Sequence, residues 1–549
     1  MNQSVRVVFV AAGLLGVALS LSWAWGQSSG TALVRSVFPL VLGATNRICV
    51  YGRGLNDSGV RIFVGDRLLS RSSSVDGCPP ALGEVRVAGT INTNGLFPGR
   101  NYRVIAFPET PTRPDSNPFF PPVIMVEAAP RLLSNESNPE RPSGNTYSII
   151  EGQVMITLDP NRIKQLDGVN DLNSVLFSLG LNRNIVTTLK IANGGNPFVR
   201  DMNGTCGKVI AVLQGVNGTT TAEVMNEVNR IRQGSMTAQN VILGLDPVPH
   251  TVGPSFGDST QTLEPRAQAM GKSYSGVGVA VVDSGFTNHN DLTPKSDKVF
   301  TNQDYETAPI GGNYEDKIDD GVPNGHGTPI ASIIAGQKYG VARGANIQVL
   351  KACRGDRTCT GLPVVAAICS SIRTGAKVLN LSLNSLSESR IIESALRDVS
   401  AAGISIVTSA GNRGCDKGKS LMGFPARYAT PTTVKANGVT LPEYDEIPGL
   451  IAVGADAEFS SCGDWVNVLA PGTLFAAWAG TTGEFKGFRG TSFSAAYVSG
   501  IAARLWAGDK YAGQPLTKTP TSIKAAIMNN ASPSSLPKLY NRGMVTLPK

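Results

Sequence analysis

Residues 277–285 have the sequence Val-Gly-Val-Ala-Val-Val-Asp-Ser-Gly, an apolar run that ends on a carboxylate and a glycine. A near-continuous apolar run is typical of a strand buried on both faces of a parallel sheet. Three further apolar runs and two helical segments between them follow, at 347–350, 362–373, 378–383, 391–402 and 404–408. This alternation predicts a doubly wound α/β fold, whose functional sites form beyond the carboxyl ends of the strands.

Histidine is scarce in this chain, which narrows the search for an imidazole base. The only three are His250, His289 and His326. His326 lies in Asn-Gly-His-Gly-Thr at 324–328, where glycines allow a substrate backbone to approach and a helical segment follows. That position does not suit a core side chain, so His326 is the candidate base.

Two further residues have chemistry that suits this imidazole. Asp283 ends the first strand, where a carboxylate points into the crevice of an α/β sheet. Ser492 lies in Gly-Thr-Ser at 490–492, before a helical segment rich in small residues. Each has an alternative structural interpretation, because an aspartate also caps loops and a serine also caps helices.

The order of these residues along the chain separates the interpretations. Asp283, His326 and Ser492 follow the subtilisin order, which differs from the orders in chymotrypsin and the α/β-hydrolases. A fourth motif is Ser-Ala-Gly-Asn at 409–412. With these motifs, residues 259–540 resemble the subtilisin-like (S8, subtilase) serine endopeptidases, and the resemblance implies a subtilisin-like doubly wound parallel sheet.

The resemblance also implies a role for each catalytic candidate. Ser492 attacks the scissile carbonyl, His326 accepts and returns the proton, and Asp283 orients the imidazole. Asn412 donates from its side-chain amide to the oxyanion.

The resemblance further implies a substrate site. Its residues are Leu381, Ser382 and Leu383, on a strand that pairs with an extended peptide, and Ser409, Ala410 and Gly411, on a wall of the S1 pocket. Three residues depart from the family pattern: Asn384, Phe493 and Ala496 stand where Gly, Met and Pro are frequent. These departures bear on specificity more than on activity. His289 lies in a stretch that resembles a structural element of the family.

Two smaller units precede this region. Residues 27–128 contain short β-rich runs separated by turn residues, which predicts an all-β sandwich, and they resemble immunoglobulin-like domains of the IPT/TIG type. Residues 129–145 are a predicted linker, and residues 146–250 alternate between strand and helix patterns. An α/β unit directly before a subtilase domain resembles the family's propeptide, which assists folding and blocks the cleft. We therefore expect Ser492 to cut the chain between residues 246 and 258.

The N-terminus and the cysteines both indicate export. Residues 1–26 have the charge, apolar run and small residues of a cleavable signal peptide, although an uncleaved membrane anchor is the alternative interpretation. Eight cysteines in an exported chain favour disulfides, with free buried thiols as the alternative interpretation. Cys49 and Cys78 are a predicted pair within the first domain, and Cys353 and Cys359 are close enough in sequence to close a short loop. We expect a secreted or extracytoplasmic protein, with the periplasm and the cell surface among its locations. We expect no stable membrane association once the signal is removed.

Composition limits the partners. With 41% hydrophobic and 16% charged residues, the chain is not of the disordered class. The net charge of +8 is spread without a block of like charges, so we expect no nucleic-acid partner. The resemblance implies polypeptide substrates and the chain's own propeptide as partners. No cofactor is expected for the chemistry, and no metal ligand is assigned. The acidic loop at 304–320 is a candidate for structural calcium, because subtilases often bind it, or else a solvated loop.

Two classes of function fit these patterns. The first is an exported serine endopeptidase, made as a self-processed zymogen. The second is an extracellular binding protein whose subtilase domain is a catalytically silent scaffold, which the all-β region would favour. An esterase or lipase is not supported, since the chain lacks the Gly-x-Ser-x-Gly turn around Ser492.

Overall fold

The computed structural model of this 549-residue chain describes much of the sequence, in segments. The described residues are 33–38, 41–42, 46–55, 60–76, 78, 85–93, 101–108, 123–126, 149–158, 180–188, 198–200, 206, 209–216, 218–230, 237–245, 273–292, 296–299, 308–309, 325–353, 358–415, 423–436, 439–511, 516–533 and 543–548. The signal segment, the linker, the expected cut region and most of the acidic loop lie outside these residues.

The N-terminal region forms two sheets around one core. Its described strands are β1 (Leu33–Phe38), β2 (Val41–Leu42), β3 (Arg47–Arg53), β4 (Val60–Val64), β5 (Arg67–Leu68), β6 (Ser70–Arg71), β7 (Val85–Thr90), β8 (Asn101–Pro108) and β9 (Val123–Val126). The sheet orders are β1-β3-β7-β6 and β2-β9-β8-β4-β5. Val50 of one sheet and Ile62 of the other are buried in the same cluster. The immunoglobulin-like type of this region stays a prediction.

The middle region is a small α/β unit. Its described elements are β10 (Ile149–Leu158), β11 (Val186–Thr188), β12 (Phe198–Arg200), β13 (Val209–Gly215), α1 (Thr221–Arg230) and β14 (Thr237–Leu245). Strand β10 pairs antiparallel with β13 and with β14. Helix α1 begins with a reciprocal capping box, because the Thr220 N–H donates to Glu223 Oε2 (2.8 Å) and the Glu223 N–H donates to Thr220 Oγ1 (3.2 Å).

The C-terminal region contains the large sheet. Its described strands are β15 (Gly278–Asp283), β16 (Ser296–Val299), β17 (Ala308–Pro309), β18 (Asn346–Lys351), β19 (Thr358–Thr360), β20 (Val378–Leu381), β21 (Leu383–Asn384), β22 (Ser405–Ser409), β23 (Thr432–Ala436), β24 (Val439–Tyr444), β25 (Leu450–Ala455), β26 (Val468–Ala470), β27 (Thr473–Ala477), β28 (Phe485–Arg489), β29 (Ser532–Pro533) and β30 (Gly543–Met544). Its described helices are α2 (Gly327–Ala335), α3 (Gly361–Arg373), α4 (Arg390–Ala401), α5 (Thr491–Ala507) and α6 (Pro520–Asn529).

The sheet has the order β17-β16-β18-β15-β20-β22-β25-β26-β30-β29, with a parallel centre from β18 to β26. Successive residues of β15 alternate between two cores. Ala280 and Val282 lie in a cluster with residues of α3 and α4, whereas Val279 and Val281 lie in a cluster with residues of α2, α5 and α6. The α/β architecture with both sheet faces covered is therefore as the apolar runs predict.

One strand of the middle unit continues onto the C-terminal region. Strand β14 pairs antiparallel with β19, where Gly244 faces Thr358, and with β21, where Gly244 faces Asn384 and Leu245 faces Leu383. The two units thus share a sheet at the edge where β21 ends.

Four disulfides link the eight cysteines. Cys49–Cys78 and Cys353–Cys359 are the pairs that the sequence predicts. The other two are Cys415–Cys462 and Cys206–Cys369, and the latter joins the middle unit to α3. No helix in the described part of the chain combines the length and apolarity needed to span a membrane.

Candidate active site

Asp283 and His326 meet where the first strand ends and the second helix begins. Asp283 is the last residue of β15, and His326 is the residue directly before α2. His326 Nδ1 lies 2.8 Å from Asp283 Oδ1 and 3.0 Å from Oδ2. The close approach requires Gly327, since a Cβ there would lie 2.2 Å from the Gly285 carbonyl oxygen. Both side chains are buried, so the carboxylate fixes the ring in a water-poor setting.

Ser284 organises this junction, a role that the sequence does not reveal. Its Oγ accepts the backbone N–H groups of His326 (3.3 Å) and Gly327 (3.1 Å), while its own N–H donates to Asp283 Oδ1 (2.7 Å). One serine therefore ties the end of β15 to the start of α2. Ser284 lies in the Asp-Ser-Gly motif, and the only sequence signal for its role is that a serine hydroxyl can accept backbone N–H groups.

Ser492 lies inside the first turn of α5, because Gly490 is the N-cap with φ +152°. The interpretation of Ser492 as the helix cap is therefore wrong. Its Oγ donates to the Ser382 carbonyl oxygen (3.2 Å). His326 Nε2 is buried without a hydrogen-bond partner, and the ring of Phe493 lies 5.5 Å from the imidazole, centroid to centroid.

Asn412 is held with its amide donor unused. Its Oδ1 accepts the N–H (2.9 Å) and the hydroxyl (3.0 Å) of Thr491, so Nδ2 faces the other way and is buried without a partner. Thr491 Oγ1 in turn accepts the Gly411 N–H (3.0 Å). An orphaned buried donor costs about 1–3 kcal/mol unless a ligand supplies an acceptor. The sequence names Asn412 but not Thr491, which orients it.

The residues of the expected substrate site cluster around these groups. Leu381 ends β20, Ser382 follows with its carbonyl at Ser492 Oγ, and Leu383 pairs with β14. Leu381, Leu383 and Ala410 bury their side chains in the core, so only their backbone atoms are suited to a peptide. Ser409 ends β22, directly before Ala410 and Gly411.

His289 does not belong to this site. His289 is held by structural bonds, with Nδ1 accepting the Asp291 N–H (3.1 Å) and Nε2 lying 2.9 Å from the Glu484 carbonyl oxygen. His250 lies outside the described residues. Within the described residues, no group of three or more His, Cys, Asp or Glu side chains could hold a metal ion.

The similarity of this chain to known proteins covers long stretches of sequence, not only the short motifs. Residues 274–544 match the family model described as the subtilase family. The chain is 32% identical over 236 residues to subtilisin-like protease 2 of Pseudogymnoascus destructans, covering 42% of this chain and 52% of that protein. It is 30% identical over 244 residues to alkaline elastase YaB of Bacillus sp. strain YaB, covering 44% and 56%. The chain thus spans about half the length of these curated relatives.

Among solved structures, fervidolysin from Fervidobacterium pennivorans, a keratinolytic enzyme related to subtilisin, aligns with a TM-score of 0.49 and 19% identity. The alignment covers 72% of this chain and 60% of that one.

Proposed function

Since residues 274–544 of this chain belong to the subtilase family, we propose that the protein is an exported serine endopeptidase that acts through Asp283, His326 and Ser492. The observation that carries the proposal is the buried Asp283–His326 hydrogen bond, beside an imidazole Nε2 and an Asn412 amide that both lack partners. The serine hydroxyl, the base and the anion donor are the three parts that acyl transfer requires.

The proposed chemistry proceeds in two halves. Ser492 Oγ rotates from the Ser382 carbonyl towards His326 Nε2, gives its proton to that nitrogen and bonds to the scissile carbonyl carbon. Asn412 Nδ2 and the Ser492 backbone N–H donate to the oxyanion. The C–N bond then breaks as His326 protonates the leaving amine, and water hydrolyses the remaining ester by the same route. The chemistry assigns no step to a metal or cofactor.

The proposed substrates are extended polypeptides, and the first of them is the chain itself. Support comes from β14, which adds a strand beside β21, one residue from Ser382. Backbone pairing of this kind is how sheets recognise extended peptides. The middle unit would thus act as a propeptide that occupies the cleft until cleavage between residues 246 and 258.

The proposal places the mature protein outside the cytoplasm, after removal of residues 1–26. Four disulfides support an oxidising compartment. N-terminal sequencing and intact mass of the secreted species test both the signal cleavage and the later cut. If structural calcium binds the acidic loop, EDTA should lower the thermal midpoint of the purified protein.

The decisive test combines labelling with one substitution. A fluorophosphonate should label Ser492 in the wild-type protein, and Ser492→Ala should abolish labelling and accumulate uncut precursor. Ser400→Ala is the matched control, because it also removes one serine hydroxyl but lies in α4, outside the site. Normal processing in Ser492→Ala would refute self-cleavage.

A catalytically silent scaffold with a binding role is the second candidate, favoured by the two-sheet region ahead of the middle unit. It predicts a protein that is unreactive at Ser492 even after the prosegment is removed. Its test is the same labelling experiment, performed on the processed chain.

A further inference from the structure

Asn384, one of the three departures from the family pattern, places a buried amide between two glycines. Its side chain is 3% exposed and lies over Gly423, where an added Cβ would be 2.1 Å from Nδ2 and 2.7 Å from Cγ. An added Cβ on Gly411 would lie 3.2 Å from the same Nδ2. The amide therefore fills the space between these two glycines.

The orientation of this amide is fixed by a cation. Arg413 Nη1 donates to Asn384 Oδ1 (2.7 Å). Because Oδ1 already accepts this bond, Nδ2 is the polar atom left to contact a ligand, and it is buried without a hydrogen-bond partner. The site thus combines an unused donor with a permanent positive charge one hydrogen bond away.

This amide lies beside the position of the reacting bond. Ser492 Oγ contacts the Ser382 carbonyl, two residues before Asn384, and Asn412, whose Nδ2 is unpaired, directly follows Gly411. A peptide whose carbonyl carbon is at Ser492 would direct the side chain of its P1 residue, the one before the scissile bond, between the segments 382–384 and 410–412. In that pose the Asn384 amide, which lies against Gly411 and Gly423, would form the floor of the space.

We propose that Asn384 and Arg413 make the S1 pocket short and selective for P1 aspartate, an inference that rests on the proposed peptidase function. An aspartate carboxylate would accept from Nδ2 and lie near the Arg413 guanidinium. A large apolar P1 side chain would meet the amide in its path and leave Nδ2 buried without an acceptor, which sites built for hydrogen bonding reject strongly. The sequence itself carries an acidic residue, Asp246, directly after Leu245.

The experiment compares four substrates, acetyl-Leu-Gly-Leu-Xaa-p-nitroanilide, with Asp, Asn, Ala or Phe as the P1 residue. The first three residues copy positions 243–245 of the chain. Processed wild-type protein is titrated with fluorophosphonate to fix the concentration of active sites. Ratios of kcat/KM between substrates cancel any residual occupancy of the cleft. We expect Asp to exceed Phe by about tenfold or more.

Two variants separate the contributions of the pair. Asn384→Gly should remove the preference for Asp and raise kcat/KM for Phe. Arg413→Gln should lower the Asp-to-Asn ratio of kcat/KM about three- to tenfold, because only the Asp side chain carries a charge that the guanidinium attracts. Arg413 is exposed, so this variant keeps the inference testable if Asn384→Gly fails to fold. The charge-matched control is Arg373→Gln, at the exposed end of α3.

The possible results differ in what they overturn. A labelled enzyme that cleaves the Phe substrate at least as fast as the Asp substrate would overturn this inference alone. So would an Asp-to-Asn ratio that Arg413→Gln leaves unchanged. A chain that neither takes the label nor cleaves any of the four substrates would overturn the proposed function, and this inference with it.

Discussion

Asn412 is the residue whose proposed contribution to catalysis can be tested most directly. Its amide oxygen is held by Thr491 and its Nδ2 has no partner, so the donor is pre-oriented. We expect Asn412→Ala to lower kcat by about 10²–10³ with little change in KM, because the donor acts on charge that forms only in the transition state. Steady-state kinetics on the processed protein measure this.

The matched control for that prediction is Asn412→Asp, which keeps the size but replaces the donor by an acceptor. It should lower kcat at least as much as alanine does. A kcat within threefold of wild type in both variants would contradict the role of Asn412.

At the residue scale, the sequence predicts the proposed reacting groups better than the groups that hold them in place. Asp283, His326 and Ser492 are visible because their motifs and their order are informative. Ser284 and Thr491 are not, because a hydroxyl that accepts two backbone N–H groups, or one that orients an amide, has no spacing signature. The Ser382 carbonyl is less visible still, since every residue carries one.

At the scale of elements, the apolar runs predict the central strands and the small-residue segments predict their helices. Local patterns could do this because a strand buried on both faces must be apolar throughout. The pairing of β14 with β19 and β21 could not be predicted in register, since it joins residues more than a hundred positions apart in the sequence. The Cys206–Cys369 bond could not be predicted for the same reason.

The β14 pairing makes a prediction about backbone protection. Gly244 faces Thr358 of β19 and Asn384 of β21, so its backbone is paired with a strand on each side. Proline has no N–H and is excluded from a strand that is paired on both sides. In the uncut Ser492→Ala chain, Gly244→Pro should speed amide exchange at residues 358–360 and 383–384.

Amide hydrogen exchange read by mass spectrometry measures this, and Gly244→Ala, which keeps the N–H, is the control. Unchanged protection in the proline variant would mean that β19 and β21 are stable without β14.

Over the whole molecule, buried tyrosines predict a loss of stability in alkali. Burial raises the pKa of Tyr497 well above its ordinary value of 10.0, and burial together with the Glu388 charge raises the pKa of Tyr428. The folded state thus holds these protons more tightly than the unfolded chain. The stabilisation is complete below pH 10 and falls as the pH rises above it, by up to about 1.4 kcal/mol per pH unit for each such group.

Urea unfolding of the Ser492→Ala chain between pH 8 and 11 measures this decline, since that variant does not digest itself. Tyr497→Phe should reduce the slope above pH 10 and leave the slope below it unchanged. Equal slopes in the two chains would contradict the raised pKa of Tyr497.

The disulfide between the middle unit and α3 determines what cleavage can release. Cys206 lies before the expected cut at 246–258 and Cys369 lies after it, so the cut fragment stays covalently attached. A tethered inhibitor rebinds at the high effective concentration set by its link, whereas a free one is diluted away. We expect the processed protein to migrate as one species without reductant and as two with it, and activity to rise when the bond is reduced.

Because reductant also reaches the other three disulfides, the control is the double variant Cys206→Ser with Cys369→Ser, which should release the fragment and be active without reductant. Separation of the wild-type fragment on a non-reducing gel would show that the covalent link does not retain it.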